Sequence, residues 1–224
     1  MFRLGGTLIG THAFRLYDAE LSVRMPFDHL GATGDIDITG FERLSLVLAD
    51  TANPAIAKVL DGFALDAVPG LDRNMIWKWR QTRSSSLVEF LTPSFREDED
   101  VRKLEAIGVH ARALHFLNYL IAEPIPAGVL YRFGVLVQIP RPERYAVHKL
   151  IVADRRRDGP DSAKALKDRA QAAFLIEVLA EDRPGDLAAA WADANDRGSQ
   201  WRKRLNASLE RMPITAERLK SVLG

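Results

Sequence analysis

The sequence predicts an α+β protein in two parts: a mixed sheet with flanking helices over residues 1–140, then a C-terminal helical region over residues 141–224. Three observations carry this. Short segments rich in β-formers, such as "DIDI" and "SSLVEFLTP", lie among helical patterns before residue 140. After Pro142 the apolar spacing is helical throughout. Pro140, Pro142, Gly159-Pro160 and Pro184-Gly185 punctuate that second part.

Taken in order, "MFRL" reads as a short strand ended by Gly5-Gly6. "TLIGTHAFRLYDAEL" then has Ile9, Ala13, Leu16, Tyr17 and Leu21 at helical spacing, with Thr7 where such a helix would be capped. Gly6 and Gly10, four apart, read as an allowance for close helix–sheet packing. "RMPFDHLGATG" leads into the "DIDI" strand. "LSLVLADTANPAIAKVLDGF" reads as helix with a break at Pro54. "FALDAV", "MIWKWRQT" and "SSLVEFLTP" are strand candidates. Residues 98–122 read as the clearest helix, with Leu104, Ile107, Ala111, Leu114, Asn118 and Ile121 on one stripe. "AGVLYRFGVLVQIP" supplies one or two strands, and the helices after Pro142 end with a short one near Thr215.

Composition limits the function. Lys and Arg total 31 against 30 Asp and Glu, a balance unlike that of a protein built to coat nucleic acid. Cysteine is absent, which excludes disulfides, thiolate metal sites and a Cys nucleophile. No apolar run approaches the roughly 18 residues needed to span a bilayer, and no signal-peptide pattern is visible. A cytoplasmic location without membrane association is the expectation.

The chemistry concentrates in "TGDIDITG", residues 33–40. In a strand, Asp35 and Asp37 share one face while Ile36 and Ile38 share the other. Such a like-charged pair is stable either on a solvated face or around a divalent cation. Glu89, between Val88 and Phe90, adds an acid on a second strong strand. Gly5-Gly6-Thr7 before a helix adds a start where backbone N–H groups favour phosphate.

The order "GGTLIGTHAF", "TGDIDI", "LVEFLTP" resembles the nucleotidyltransferase superfamily of DNA polymerase β and the minimal nucleotidyltransferases. That pattern is a Gly-Gly or Gly-Ser opening a helix, an alternating D-h-D strand, and a later h-D/E-h strand. "PERYAVHKLIVADRR" and "KALKDRAQAAFLIEVL" look like the helical tail of a bacterial branch, similar also to AbiEii-type abortive-infection toxins of toxin–antitoxin systems. The core motifs span residues 5–93, and the tail resemblance reaches about residue 180.

The resemblance implies a nucleotidyltransferase-fold domain over residues 1–140, a helical domain over 141–224, and an enzyme that moves a nucleoside monophosphate from an NTP such as ATP to a hydroxyl, releasing pyrophosphate. It implies that Asp35 and Asp37 bind two Mg²⁺ (or Mn²⁺) ions, with Glu89 on the catalytic ion and assisting loss of the acceptor proton. Gly5, Gly6 and Thr7 would then hold the β and γ phosphates. RNA ends, protein hydroxyls and small molecules all serve as acceptors across the superfamily.

Other residues have two readings each. Lys149 and Arg156, seven apart on a helical face, either steer the triphosphate or acceptor, or form a solvated basic face. His148 reads as a packed, hydrogen-bonded histidine. Trp77 and Trp79, beside Lys78, Arg80 and Arg83, read as a core contact or a base-stacking platform. The chain opens almost on its first motif, where related proteins carry preceding helix. That motivates a second class of function: a catalytically weak member acting as a protein-partner or nucleic-acid-binding module. A P-loop is excluded because "GGTLIGT" lacks the lysine, and a Rossmann dehydrogenase because G-x-G-x-x-G is missing.

Overall fold

The structure, a computed structural model, describes residues 2, 5–25, 30–31, 33–41, 52–70, 72–96, 98–130 and 132–224. These form two compact units, one built on residues up to Pro140 and one on Arg141–Gly224 together with Leu30. Most of the "MFRL" strand and the first half of the helix expected before Pro54 lie outside the described residues.

The first unit is organised by strands β1 (Thr7–Ile9), β2 (Asp35–Thr39), β3 (Leu65–Ala67), β4 (Lys78–Gln81) and β5 (Leu87–Pro93), ordered β1-β2-β5-β4-β3. Strands β6 (Val101–Leu104) and β7 (Val109–Leu114) join through β7, which runs parallel to β5. One edge of β5 is thus shared. Its first half pairs with β4 antiparallel, its last residues with β7, and β2 lies parallel along the other edge. At the fork, the Phe90 N–H donates to the Trp77 carbonyl (2.8 Å) and the His110 N–H to the Ile76 carbonyl (3.2 Å).

The alternation expected of β2 and β5 is present, because one face of the sheet is packed. Ile36 and Ile38 lie against a core of Leu60, Trp79, Val88, Phe90, Leu104 and their neighbours. Helix α1 (Gly10–Glu20) buries Ala13, Phe14 and Tyr17, and the Tyr17 hydroxyl donates to the Pro140 carbonyl at 2.8 Å. Helix α2 (Ile56–Asp61) follows Pro54, and β8 (Ile125–Val129) pairs with β9 (Val135–Ile139) as a separate hairpin.

Two expectations change. Residues 98–122 are not one helix but the hairpin β6–β7 followed by a single turn, α3 (Leu117–Leu120). The stripe also has period two: Val109, Ala111 and Ala113 are buried while His110 and Arg112 between them are not. Gly108, with φ +67°, takes a left-handed turn position where a helix would leave it a liability. Helix α1, in turn, starts at Gly10 rather than Thr7, and Thr7 is a buried strand residue opposite Thr39.

The second unit is helical, as expected: α4 (Pro142–Arg156), α5 (Ser162–Asp182), α6 (Pro184–Asp196), α7 (Ser199–Leu209) and α8 (Pro213–Leu223). Prolines at the first turns of α4, α6 and α8 sit where their missing N–H costs nothing. Gly198, φ +121°, separates α6 from α7. Leu150, Ile151, Leu175, Ile176 and Leu179 are fully buried between α4, α5 and their neighbours.

Candidate active site

Strand register brings the sequence-predicted acids together. Asp37 sits opposite Glu89 across the parallel β2–β5 pair, and Asp35 lies two residues earlier on the same face. Neighbouring strands are about 4.8 Å apart and alternate residues about 6.7 Å, so the three Cα atoms form a compact triangle. The row continues on both sides: Ile9 faces Asp37 across β1, and Lys78 faces Glu89 across β4. The opposite face holds the core, which accounts for the two isoleucines that alternate with the aspartates.

Asp37 is also met from above. Gly10 adopts φ +66°, and a Cβ built there would collide with Asp37 Oδ2. The backbone conformation favours glycine here, and a Cβ would in addition force the Asp37 carboxylate to shift. Helix α1 begins at this residue, with the apolar N-cap Ile9 contributing no side-chain hydrogen bond. A carboxylate at that helix start lies where the backbone dipoles favour negative charge. Gly10→Ala should therefore destabilise the protein by about 1–3 kcal/mol. Urea unfolding checks this, and an unchanged midpoint would contradict the close approach.

Gly5, Gly6 and Thr7 occupy the other end of β1. Because Thr7 pairs with Thr39 and Ile9 with Asp37, the two glycines lie beyond Thr39, against Gly40. Gly5 has φ +79°, so this pair serves a tight backbone contact between chain segments. The helix start expected at Gly5-Gly6-Thr7 thus falls at Gly10, the glycine that the sequence marked only for close helix–sheet packing.

Glu89 has a partner that spacing did not reveal. Lys78 Nζ lies 3.0 Å from Glu89 Oε1, with the side chains 26% and 21% exposed. The donor set of Asp35, Asp37 and Glu89 is all carboxylate oxygen, which suits a hard cation such as Mg²⁺ or Mn²⁺. Among the described residues, however, no three His, Cys, Asp or Glu side chains are drawn into a cluster that could hold a metal ion. The backbones are aligned for a shared site while the Glu89 carboxylate is engaged by Lys78.

The tryptophans divide. Trp79 is buried and meets Phe90 edge-to-face at 5.2 Å and 89°, so it belongs to the core. Trp77 is half-buried, with Lys78 Nζ at 5.3 Å and the Arg112 guanidinium at 5.7 Å from its ring centre.

Lys149 and Arg156 belong to the helical unit. There both engage Asp168 of α5: Lys149 Nζ lies 2.5 Å from Oδ1 and Arg156 Nη1 2.6 Å from Oδ2. Burial is the largest influence on Asp168 and pushes its pKa up, but the two cations together outweigh it and the net shift is downward. The Tyr145 hydroxyl and Gln171 Oε1 are 3.0 Å apart alongside, and Gln171 Nε2 donates to the Leu30 carbonyl.

His148 is buried, and its pKa is lowered to about 3 by burial first and by Lys149 second. The unfolded value is about 6.5, so between pH 6.5 and 3 the unfolded chain binds a proton that the folded chain does not. Stability should fall as pH drops through that window. His148→Gln should flatten this acid limb in urea titrations at pH 4 and pH 7, and an identical pH slope would contradict it.

Among the described residues, no helix is long and apolar enough to cross a membrane. No curated protein matches the sequence. A crystal structure of an antigenic nucleotidyltransferase-like protein from Paracoccidioides brasiliensis is similar at a TM-score of 0.45 and 11% identity, over 96% of this chain and 84% of that one. The nucleotidyltransferase family pattern matches residues 1–196. With the acid-bearing strands inside that span, the chain belongs to the nucleotidyltransferase family.

Proposed function

We propose that the protein transfers a nucleoside monophosphate from an NTP to an acceptor hydroxyl, with pyrophosphate leaving. The observation that carries this reading is the register of β2 and β5, which sets Asp37 opposite Glu89 with Asp35 on the same face. Asp35, Asp37 and Glu89 would hold Mg²⁺ or Mn²⁺; the bound ion would offset charge on the triphosphate and on the attacking and leaving oxygens. Glu89 would also assist loss of the acceptor proton. Phosphate oxygens would meet the start of α1 at Gly10 and Thr11, the glycine start that borders Asp37. This moves the phosphate contact away from Gly5, Gly6 and Thr7. Lys149 would act through Asp168, which it shares with Arg156, and Arg156 keeps a 37% exposed side chain with which to meet an anion.

The test is incubation of the full chain with each labelled NTP, Mg²⁺, and RNA, protein and small-molecule fractions of a cell extract. Label in one fraction names the acceptor class, and label in none counts against transfer. A second reading, a catalytically weak member that binds a partner, draws support from the Lys78–Glu89 pair, which occupies an acid that catalysis needs. Isothermal titration with NTP and Mg²⁺ separates the two, since the second reading requires no metal-dependent nucleotide binding.

A further inference from the structure

We infer that Lys78 is a built-in competitor for the cation site: its ammonium holds Glu89 while the acids carry no divalent ion, and a binding ion must displace it. The inference rests on the active-site reading above and concerns how that site is loaded.

Glu89 stands between two strands that offer its carboxylate opposite things. Across β4 it faces the ammonium of Lys78, and across β2 the carboxylate of Asp37. Without a divalent cation, turning toward β2 would add a third negative charge beside Asp35 and Asp37, which like-charge repulsion disfavours. Turning toward β4 gives the 3.0 Å ion pair that the structure contains. Both partners are about three-quarters shielded from solvent, so the pair is less screened than a surface one. A divalent ion reverses the preference, because it makes the β2 side attractive to the carboxylate.

The structure also provides for the displaced ammonium. Trp77, on the residue before Lys78, puts its ring 5.3 Å from Nζ, a cation–π contact that does not involve Glu89. Once Glu89 turns away, the ammonium keeps this contact and remains one strand from the acids. Its charge is then available to the anionic substrate that accompanies the ion. Loading the site would therefore convert Lys78 from a blocking cation into a positioning residue for phosphate.

The test uses the full chain and Mn²⁺ alone, with free Mn²⁺ followed by electron paramagnetic resonance. Lys78→Met should bind Mn²⁺ about five- to tenfold more tightly than the unsubstituted chain. Lys78→Arg, which keeps the charge, should restore the weaker affinity. Glu89→Gln should weaken binding, and in its presence Lys78→Met should no longer change the affinity. If the unsubstituted chain binds Mn²⁺ and Lys78→Met binds equally or more weakly with its circular dichroism unchanged, the competitor role is overturned and the active-site reading stands. If neither chain binds Mn²⁺ saturably, the active-site reading falls and takes this inference with it.

Discussion

The Asp35→Asn, Asp37→Asn double variant should lose nucleoside monophosphate transfer by about a thousandfold or more. A cation held at an active site supplies several kcal/mol of charge stabilisation in the transition state. At tenfold per 1.4 kcal/mol, the loss of both β2 carboxylates proposed to hold it reaches that size. The fold should survive, because both side chains lie on the face opposite the packed isoleucines and asparagine preserves their shape. Thermal unfolding should stay within about 0.5 kcal/mol of the unsubstituted chain. Single-turnover labelling in the fraction that accepts NMP is the measurement. Transfer at more than a tenth of the original rate in a folded double variant would remove the β2 acids from the mechanism.

Asp168→Ala should have the largest effect on stability, a loss of about 3–5 kcal/mol. Lys149 is almost wholly buried, and Asp168 is the acid that lies against its ammonium. Removing the carboxylate strands that charge in the helical core, and Arg156 loses its anchor at the same time. The comparison that isolates the cause is Lys149→Met combined with Asp168→Leu, which replaces the pair by apolar groups and should recover most of the loss. Urea unfolding of the unsubstituted chain and the two variants decides it. A loss below about 1 kcal/mol for Asp168→Ala would show that Lys149 finds water or another acceptor.

The parts of this protein that were legible in the sequence share a physical trait: one face of the element is buried and the other is not. "DIDIT" and "LVEFLTP" alternate because isoleucine, valine and phenylalanine pack on one side while acids stand on the other. Helix α5 shows its 3.6-residue period for the same reason, burying Ala165, Asp168, Ala172, Leu175, Ile176 and Leu179, whereas α4 is buried all round between Tyr145 and Ile151. Residues 101–114 defeated this reading because Leu104, Ile107, Ala111 and Leu114 also fit a helical stripe, and the turn at 105–108 supplies no proline to break the tie. Within the site, the three acids could be found from local pattern. Lys78 could not, since its meeting with Glu89 depends on the register of β4 on β5. Gly10 was visible as a glycine, but its collision geometry with Asp37 arises only when β1 folds back on β2.

The forked strand β5 has a consequence for how the site comes into being. Its neighbours β2 and β4 precede it in the chain and β7 follows it, so no single hairpin contains the carboxylate row. The contact of Thr92 with Gly40 beside that row spans 52 residues. Closing a loop of that length costs about 3.5 kcal/mol of chain entropy before any pairing repays it. A nascent chain that has emerged only past β2 carries two aspartates on a strand still lacking β5, with no third acid and no lysine to hold it. The carboxylate row and the Lys78–Glu89 pair beside it are thus completed together, when β5 enters the sheet.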